Sequence, residues 1–212
     1  MSFKKEAYAN LAETIIDKFA KRGIEGYYVE TSDEAVEIAS RFFTPGCTIS
    51  YGGSETIKEI GLIDIIKATA DYNVIDRLQA KTEEEKMKVY ADTVCSDFFL
   101  MSSNAITLDG ELVNIDGNGN RVACLITGPK NVIVIAGMNK VTTDVKAAID
   151  RVRNFAAPPN AVRLHTETPC EEYGRCMNCL NENCMCCHMV VTRKSRINGR
   201  IKVILVGEEL GY

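Results

Sequence analysis

Apolar and polar positions follow two different periods along this chain. Between about residues 4 and 22, apolar side chains recur every three or four positions, which is typical of an amphipathic helix. Short and nearly unbroken apolar runs predict buried parallel strands, and they occupy residues 48–51, 98–101, 131–136 and 202–207. Helical patterns fill most of the intervals between these runs, so the sequence predicts an α/β protein built from strand and helix units.

Local signals mark where several of these elements begin and end. Thr82 is followed three positions later by Glu85, the spacing of a capping box at a helix start. The dipeptide Asp109-Gly110 lies between two apolar runs and predicts a β-hairpin. The pair Pro158-Pro159 is expected to end the helix that begins near residue 142. Residues 122–127 suit either a strand or a short helix.

Length and composition fit one globular domain spanning residues 1–212. Hydrophobic residues make up 46% of the chain and charged residues 25%, and no run of eighteen apolar residues predicts a membrane span. The N-terminal helix pattern lacks the apolar core of a signal peptide, so we expect a cytoplasmic protein. A formal net charge of -4 argues against a nucleic-acid partner.

Polar loops follow four of the predicted strands. Ligands of open α/β sheets collect at the carboxyl ends of strands, where glycine turns and helix starts present free backbone amides. Arg121 would supply a bidentate fork and Lys140 a point charge, so a small anionic metabolite is the expected ligand. Each loop taken alone is also what an ordinary turn looks like. The predicted ligand-binding residues are Gly52, Gly53, Ser54, Ser103, Asn104, Asp116, Asn120, Arg121, Asn139 and Lys140.

No motif in the sequence demands a catalytic nucleophile or base. The carboxylates Asp109, Asp116 and Glu208 are the weak candidates for such a role. Both aspartates precede glycine, where the usual function of the side chain is to accept hydrogen bonds within the turn. Glu208 lies just past the last predicted strand, where solvent exposure explains it equally well.

Six of the nine cysteines lie between positions 170 and 187. We call residues 160–190 the cysteine segment. Cys176 and Cys179 have the two-residue spacing that lets a tight turn chelate one metal. Four thiolates suffice for zinc or for a four-iron cluster, and ligand type alone does not separate the two. The alternative is a set of reduced thiols that binds no metal.

Three stretches carry a family resemblance: GGSETIKEIG, SSNAITLDGELVNIDGNGNRVACLITGPKNVIVIAGMNKV and LVGEELGY. Together they resemble the LUD (lactate utilization) domain family from Gly52 to the C-terminus. The resemblance implies a fold like that of the superfamily of ribose-5-phosphate isomerase (RpiA), glucosamine-6-phosphate deaminase (NagB) and CoA transferases. That NagB/RpiA/CoA transferase-like fold has a mostly parallel sheet flanked by helices, here with a cysteine-rich insertion before the last strand. In the superfamily the turn equivalent to residues 52–54 commonly binds phosphate or acyl-CoA.

The resemblance also implies a role in lactate or organic-acid utilization, with an iron-sulfur cluster or zinc and with iron-sulfur redox partner proteins. The metal ligands it implies are Cys170, Cys176, Cys179 and Cys186, with Cys184 and Cys187 as alternates. Two other functions stay open. One is a stand-alone isomerase or transferase acting on a phosphosugar or an acyl-CoA, and the other is a non-catalytic ligand-binding subunit or regulator. A homo-oligomer is compatible with each of these functions.

Overall fold

The computed structural model describes residues 3–212 and contains two β-sheets. In chain order the strands are β1 (Glu25–Val29), β2 (Thr48–Tyr51), β3 (Asn73–Ile75), β4 (Phe98–Met101), β5 (Ala105–Thr107), β6 (Leu112–Asp116), β7 (Asn131–Gly137), β8 (Val141–Thr142), β9 (His188–Thr192) and β10 (Ile201–Val206). The larger sheet has the order β1-β10-β7-β4-β2-β3, and all its strand pairs are parallel. The predicted mostly parallel α/β fold is therefore confirmed.

Nine α-helices accompany these strands within residues 3–212. They are α1 (Phe3–Lys21), α2 (Ser32–Arg41), α3 (Glu55–Glu59), α4 (Leu62–Ala68), α5 (Glu83–Val94), α6 (Asn120–Ile126), α7 (Val145–Arg151), α8 (Ala157–Leu164) and α9 (Pro169–Tyr173). Short 3-10 turns cover Arg77–Gln79 and Met138–Lys140, and a π-helical turn covers Val152–Ala156. None of the helices in this described range is long and apolar enough to cross a membrane.

Apolar side chains cover both faces of the larger sheet, as its uninterrupted apolar strands require. On one face, the strand residues Ile49 and Ile204 pack with side chains of α2, α3 and α4. On the other face, Val132 and Leu205 pack with α1, with α6 and with the β5–β6 hairpin. Because helices bury both faces, polar side chains are confined to the two ends of the strands.

The smaller sheet has the order β8-β5-β6-β9 and lies against the second face of the larger sheet. Its β5 and β6 pair antiparallel on either side of Asp109-Gly110, so the predicted hairpin is confirmed. Strand β9, which the sequence pattern did not predict, pairs antiparallel with β6 from Leu112 to Asp116. It follows the last cysteine directly, so the cysteine-rich insertion returns to the smaller sheet before β10 enters the larger one.

Of the two local predictions about helix ends, one is confirmed and the other is wrong. The capping box at Thr82 and Glu85 is present with both reciprocal hydrogen bonds. The prediction that Pro158-Pro159 ends a helix is wrong, because both prolines lie in the first turn of α8. Proline lacks a backbone N–H, and the first turn of a helix needs none. The π-helical turn before α8 closes with Ala157 N–H donating to Val152 O, which lets the chain pass from α7 into a new helix.

Polar groups at the amino end of the larger sheet are closely paired. The Asp97 carboxylate accepts from Thr48 N and Oγ1, both at 2.8 Å, and from Lys130 Nζ at 2.7 Å. These bonds, with that from Lys130 the largest cause, lower the pKa of Asp97 to about 2. The buried Arg200 donates to the carbonyls of Pro129, Leu125 and Cys124, and so satisfies the carbonyl end of α6.

Candidate functional site

A cleft of about 540 Å³ opens at the carboxyl ends of β2, β4 and β7. These strands are neighbours in the larger sheet, so the loops that follow them meet at one edge. One wall comes from the turn between β6 and α6, and another from the cysteine segment. Seven of the predicted ligand-binding residues line it: Gly53, Ser54, Asn104, Asp116, Asn120, Arg121 and Lys140.

Lys140 is the most deeply buried cation of the cleft, with only 4% of its surface exposed. Its Nζ donates to Thr56 Oγ1 at 2.8 Å and to Ser102 Oγ at 3.0 Å. Within residues 3–212 it forms no ion pair with a carboxylate. Burial and then the charge of Arg151 lower the pKa of Lys140 to about 7. An amine that titrates near neutral pH is therefore held at a fixed position on the cleft wall.

Arg121 organises the loops around the cleft. Its Nε donates to Asp116 Oδ2 at 3.0 Å, and its two terminal nitrogens each donate to two further acceptors. Those four acceptors are Ser102 O, Asn114 Oδ1, Asn104 Oδ1 and Ile115 O. A guanidinium has five N–H donors, so the protein itself engages the full set. The bidentate fork expected for a ligand is thus directed at the protein, and it ties β4, β6 and α6 together.

Asp116 has both carboxylate oxygens engaged as well. Oδ1 accepts from Gly119 N at 2.8 Å, closing the turn before α6, and Oδ2 accepts from Arg121. Asp116 is 9% exposed, so its negative charge offsets Arg121 in a buried setting. The geometry gives Asp116 the turn-holding function that an aspartate before glycine usually has.

The glycine turn after β2 faces a cation that the sequence analysis did not identify. A Cβ built on Gly53 would lie 3.2 Å from Arg77 Nη2, and both residues line the cleft. Ser54 caps α3 by accepting from Ile57 N at 3.3 Å. No hydrogen bond or ion pair within the described range engages the Arg77 guanidinium. Arg77 lies in a 3-10 turn without any recognisable motif, so only the fold brings it to Gly53.

Three predicted ligand-binding residues lie next to the cleft but do not line it. Ser103 is fully buried and donates to Ala105 O at 2.8 Å. Asn139 holds the C-terminal residues, since its Oδ1 accepts from Leu210 N at 3.2 Å. Gly52 lies against the Arg121 side chain, where a Cβ would meet Cδ at 3.4 Å. These residues shape the site without facing a ligand.

Two of the three catalytic candidates lie away from the cleft. Asp109 is at the hairpin turn and forms an exposed ion pair with Lys18 of α1. Glu208 accepts hydrogen bonds from the backbone and the hydroxyl of Ser32 at the start of α2. Both carboxylates follow strands, but neither of these loops opens into the cleft. Asp116 alone among the three lines it.

The helix that follows the two prolines contributes a further cation. Arg163 lines the cleft and forms an ion pair with Glu55 at 3.2 Å. Asn160, one turn earlier on α8, accepts from the same guanidinium at 2.7 Å. Because sequence reasoning ended a helix at Pro158-Pro159, it gave no reason to place Arg163 near the glycine turn.

The cysteine segment forms part of the cleft wall. Cys184, Cys186 and Cys187 line it, and Cys187 N donates to Asp116 O at 3.1 Å. Cys186 also packs against the apolar cluster of β5, β6 and α7. Its pKa is raised to about 12, first by burial and then by Cys184, Cys176 and Cys170. The sequence analysis treated the thiols and the ligand loops as separate sites, whereas the structure places them side by side.

Several sulfurs of the segment accept N–H hydrogen bonds. Cys176 Sγ accepts from Arg153 Nε at 3.3 Å and from Asn178 N at 3.4 Å. Cys184 Sγ accepts from Cys186 N at 3.4 Å. Nevertheless, no group of three or more Cys, His, Asp or Glu side chains in residues 3–212 is placed to hold one metal ion. The donors suit a thiophilic metal chemically, but their present arrangement does not form a completed ligand set.

The fold and the cleft define an α/β domain with its polar site at the carboxyl edge of a parallel sheet. A family model of the LUD domain matches residues 12–206, so the chain belongs to the LUD domain family. None of the curated protein sequences gives a significant match.

Three solved structures resemble this chain to different extents. The crystal structure of a DUF162 family protein from Deinococcus radiodurans matches with a TM-score of 0.52 and 15% identity, covering 94% of this chain and 98% of that one. Ribose 5-phosphate isomerase from Plasmodium falciparum matches with a TM-score of 0.33 and 15% identity over 53% and 52% of the two chains. The eIF2B delta structure from Chaetomium thermophilum matches with a TM-score of 0.36 and 16% identity over 66% and 51%. The match to the Deinococcus radiodurans protein, which covers nearly the whole of both chains, shows a shared fold.

Proposed function

We propose that this LUD domain binds a small anionic metabolite in the cleft at the carboxyl edge of its parallel sheet. Lys140 is the observation that carries the proposal, because it is a buried cation whose Nζ, within residues 3–212, is bonded only to hydroxyls. Burying an amine without a carboxylate costs stability, and an anionic ligand would offset that cost. Membership of the LUD family supports a role associated with lactate utilization, so lactate and pyruvate are the first ligands to test.

The charges that line the cleft favour an anion. Four cations line it, Arg77, Arg121, Lys140 and Arg163, against three carboxylates, Glu55, Asp116 and Glu182. Asp116 already pairs with Arg121 and Glu55 with Arg163. The cations left for a ligand are Lys140, after β7, and Arg77, which lies against Gly53. A carboxylate or phosphate between them would gain charge-assisted hydrogen bonds.

The same contacts weigh against the isomerase or transferase alternatives, which need a carboxylate as base or nucleophile. Both oxygens of Asp116 accept hydrogen bonds from the protein, and Glu55 is ion-paired. The cleft is therefore better suited to binding and orienting an acid than to carboxylate catalysis on a phosphosugar or acyl-CoA.

Isothermal titration calorimetry with lactate, pyruvate and inorganic phosphate tests the proposal. We expect at least one of these anions to bind, and Lys140→Met to weaken it tenfold to a hundredfold, or about 1.4–2.8 kcal/mol. Lys146→Met is the matched control, since Lys146 is exposed on α7 and does not line the cleft. Failure of all three anions to bind, or equal weakening by both variants, would refute the proposal.

The cysteine segment supports a second proposal, that Cys170, Cys176, Cys179 and Cys186 bind zinc or an iron-sulfur cluster once the segment closes around it. Cys184 and Cys187 remain alternates. The supporting observations are the mutual proximity of the thiols and the N–H groups that point at Cys176 and Cys184 sulfur. Such hydrogen bonds commonly accompany metal-bound thiolates.

Elemental analysis of protein purified without oxygen, together with a visible spectrum, tests this second proposal. We expect iron with sulfide, or one equivalent of zinc, retained by the native chain and lost from Cys176→Ser. Cys95→Ser is the control, because Cys95 lies at the end of α5, distant from the segment in sequence. Metal-free protein from anaerobic cells with both metals supplied would exclude the proposal.

A further inference from the structure

We propose that Lys140 is a carbonyl-reacting amine, which forms a reversible imine with a small 2-oxo acid bound in the cleft. The inference rests on the proposed anion-binding function and extends it, since it names a substrate class and the residue that reacts. In this inference Lys140 forms a covalent bond with the ligand, whereas in anion binding it acts only as a positive charge.

The position of Lys140 suits such a reaction. The residue ends the 3-10 turn after β7, at the centre of the larger sheet, and 96% of its surface is buried although it lines the cleft. Hydroxyls of Thr56 and Ser102 hold Nζ from two sides at 2.8 and 3.0 Å. A lysine fixed in this way loses little further freedom when it reacts, and orientation of this kind lowers the barrier.

The charges facing Lys140 keep a share of the amine neutral near pH 7. Burial is the main cause of a pKa of about 7, and Arg151 and Arg121 lower it further, while Glu59 opposes them. Arg151 lies on α7, Arg121 on α6 and Glu59 on α3, so the groups come from three elements around the amine. An exposed lysine at the same pH is almost wholly protonated and cannot attack a carbonyl.

The charge of the cleft favours a substrate that carries an anionic group in addition to the carbonyl that reacts with Lys140. An imine requires a ketone or aldehyde carbon, and the surplus positive charge requires an anion in the same small molecule. Arg77, beside Gly53, lines the same cleft as Lys140, and we assign the carboxylate to Arg77 and the carbonyl to Lys140. A 2-oxo acid carries both groups on adjacent carbons, whereas its 2-hydroxy counterpart has the carboxylate alone.

The reaction balances without an oxidant or reductant. The Nζ lone pair forms a bond to the carbonyl carbon, and the carbonyl π electrons move to oxygen. Oxygen takes a proton and nitrogen loses one, which gives a carbinolamine. The carbinolamine hydroxyl then takes a second proton, the C–O bond breaks as water leaves, and nitrogen loses its remaining proton as the C=N bond forms. Ser102 and Thr56 hydroxyls lie against Nζ and can pass these protons.

Reductive trapping tests the inference. The protein is incubated with pyruvate and cyanoborohydride, and the site of addition is located by peptide mass mapping. We expect one stable adduct, equal to pyruvate plus two hydrogens minus water, on the peptide that contains Lys140. Lactate under the same conditions should give none, because it has no carbonyl. Lys140→Arg keeps a positive charge and should lose the adduct at least tenfold, whereas Lys146→Arg should keep it.

Calorimetry run in parallel separates the two proposals. Binding of pyruvate without an adduct at position 140 overturns the imine and leaves anion binding intact, whereas absence of both overturns the two together. A second measurement needs no variant: the rate of trapping should rise with pH through about 7, as the pKa of Lys140 requires. A rise only above pH 10, or spread over exposed lysines, would also overturn the imine.

Discussion

The two ends of the larger sheet pair their charged side chains in opposite ways. At the amino end, Asp97 accepts from Thr48 and Lys130, and Arg200 donates to three carbonyls. At the carboxyl end, Lys140 has only hydroxyl partners among the residues that the structure describes. The amino end therefore stabilises the fold with satisfied polar groups, whereas the carboxyl end keeps a charge available for a ligand. This division agrees with the general position of ligand sites in α/β sheets.

The largest effect on stability is expected at the amino end. Arg200→Met removes donors to the carbonyls of Cys124, Leu125 and Pro129 and leaves these acceptors without their partner. The free energy of unfolding should fall by about 3–5 kcal/mol, as measured by urea denaturation. Anion affinity should stay unchanged, because Arg200 is remote from the cleft lining. Arg196→Met, at an exposed position, is the control.

The next largest effect is an increase in the free energy of unfolding. Lys140→Met replaces a buried amine by a side chain of similar length, and we expect the free energy of unfolding at pH 7 to rise by about 1–3 kcal/mol. Anion binding should weaken about tenfold to a hundredfold at the same time. A loss of stability in this variant would mean that the hydroxyl bonds outweigh the burial of the amine, and the contrast between the two ends would disappear.

Lys140 also predicts how stability depends on pH. Its folded-state pKa of about 7 lies below the ordinary value of 10.5, so between these values the unfolded chain binds more protons. Stability contributed by this group must then rise with pH across that window, by at most about 1.4 kcal/mol per pH unit. Urea denaturation from pH 7 to 9 should show this slope in the native chain, and the Lys140→Met variant should lack it.

At the amino end, Asp97 gives a dependence on pH of the same sign, but in an acidic window. Its pKa is lowered from 3.8 to about 2, so the stability it contributes is complete above about pH 4 and is lost as the pH falls towards 2. Asp97→Asn should cost about 1 kcal/mol at pH 7, since the group is partly exposed. A native chain and variant that differ equally at pH 7 and pH 2 would contradict this assignment.

The smallest effect is expected at the glycine turn. Gly53→Ala brings a methyl group to 3.2 Å from the Arg77 guanidinium, which must shift slightly. We expect anion affinity to fall about threefold, or roughly 0.6 kcal/mol, with stability changed by less than about 0.5 kcal/mol. Calorimetry and urea denaturation measure the two quantities. Gly46→Ala is unsuitable as a control because its φ of 82° would strain alanine, so Ser40→Ala, outside the cleft, is used.

Much of the fold follows from local patterns, because each pattern reports on the residues that form the element. The apolar run at residues 48–51 coincides with β2, and Thr82 with Glu85 forms the expected capping box. The prediction at Pro158-Pro159 was wrong because proline is compatible with the first turn of a helix as well as with a helix end. Strand β9 was not predicted, since its residues alternate weakly and follow a dense run of cysteines.

Residues of the cleft could be predicted only where a loop directly follows a strand of the larger sheet. Lys140 was found in this way, but the absence of a carboxylate beside it depends on how distant elements pack. Asp109 and Glu208 satisfied the same local rule, yet their loops open elsewhere. Arg77 reaches Gly53 through the fold alone. Arg121 lines the cleft, but its hydrogen bonds to Asn104 and Asn114 could not be predicted from sequence spacing.

The pairing of β9 with β6 has a thermodynamic consequence. It runs from Leu112 to Asp116, and at its end Cys187 N donates to the carbonyl of the same aspartate that holds Arg121. A ligand in the cleft that Arg121 shapes and a metal bound by the thiols would thus act on one shared strand pair. Coupling between two binding equilibria is reciprocal, so any change in metabolite affinity caused by metal must be matched by an equal change in metal affinity caused by metabolite.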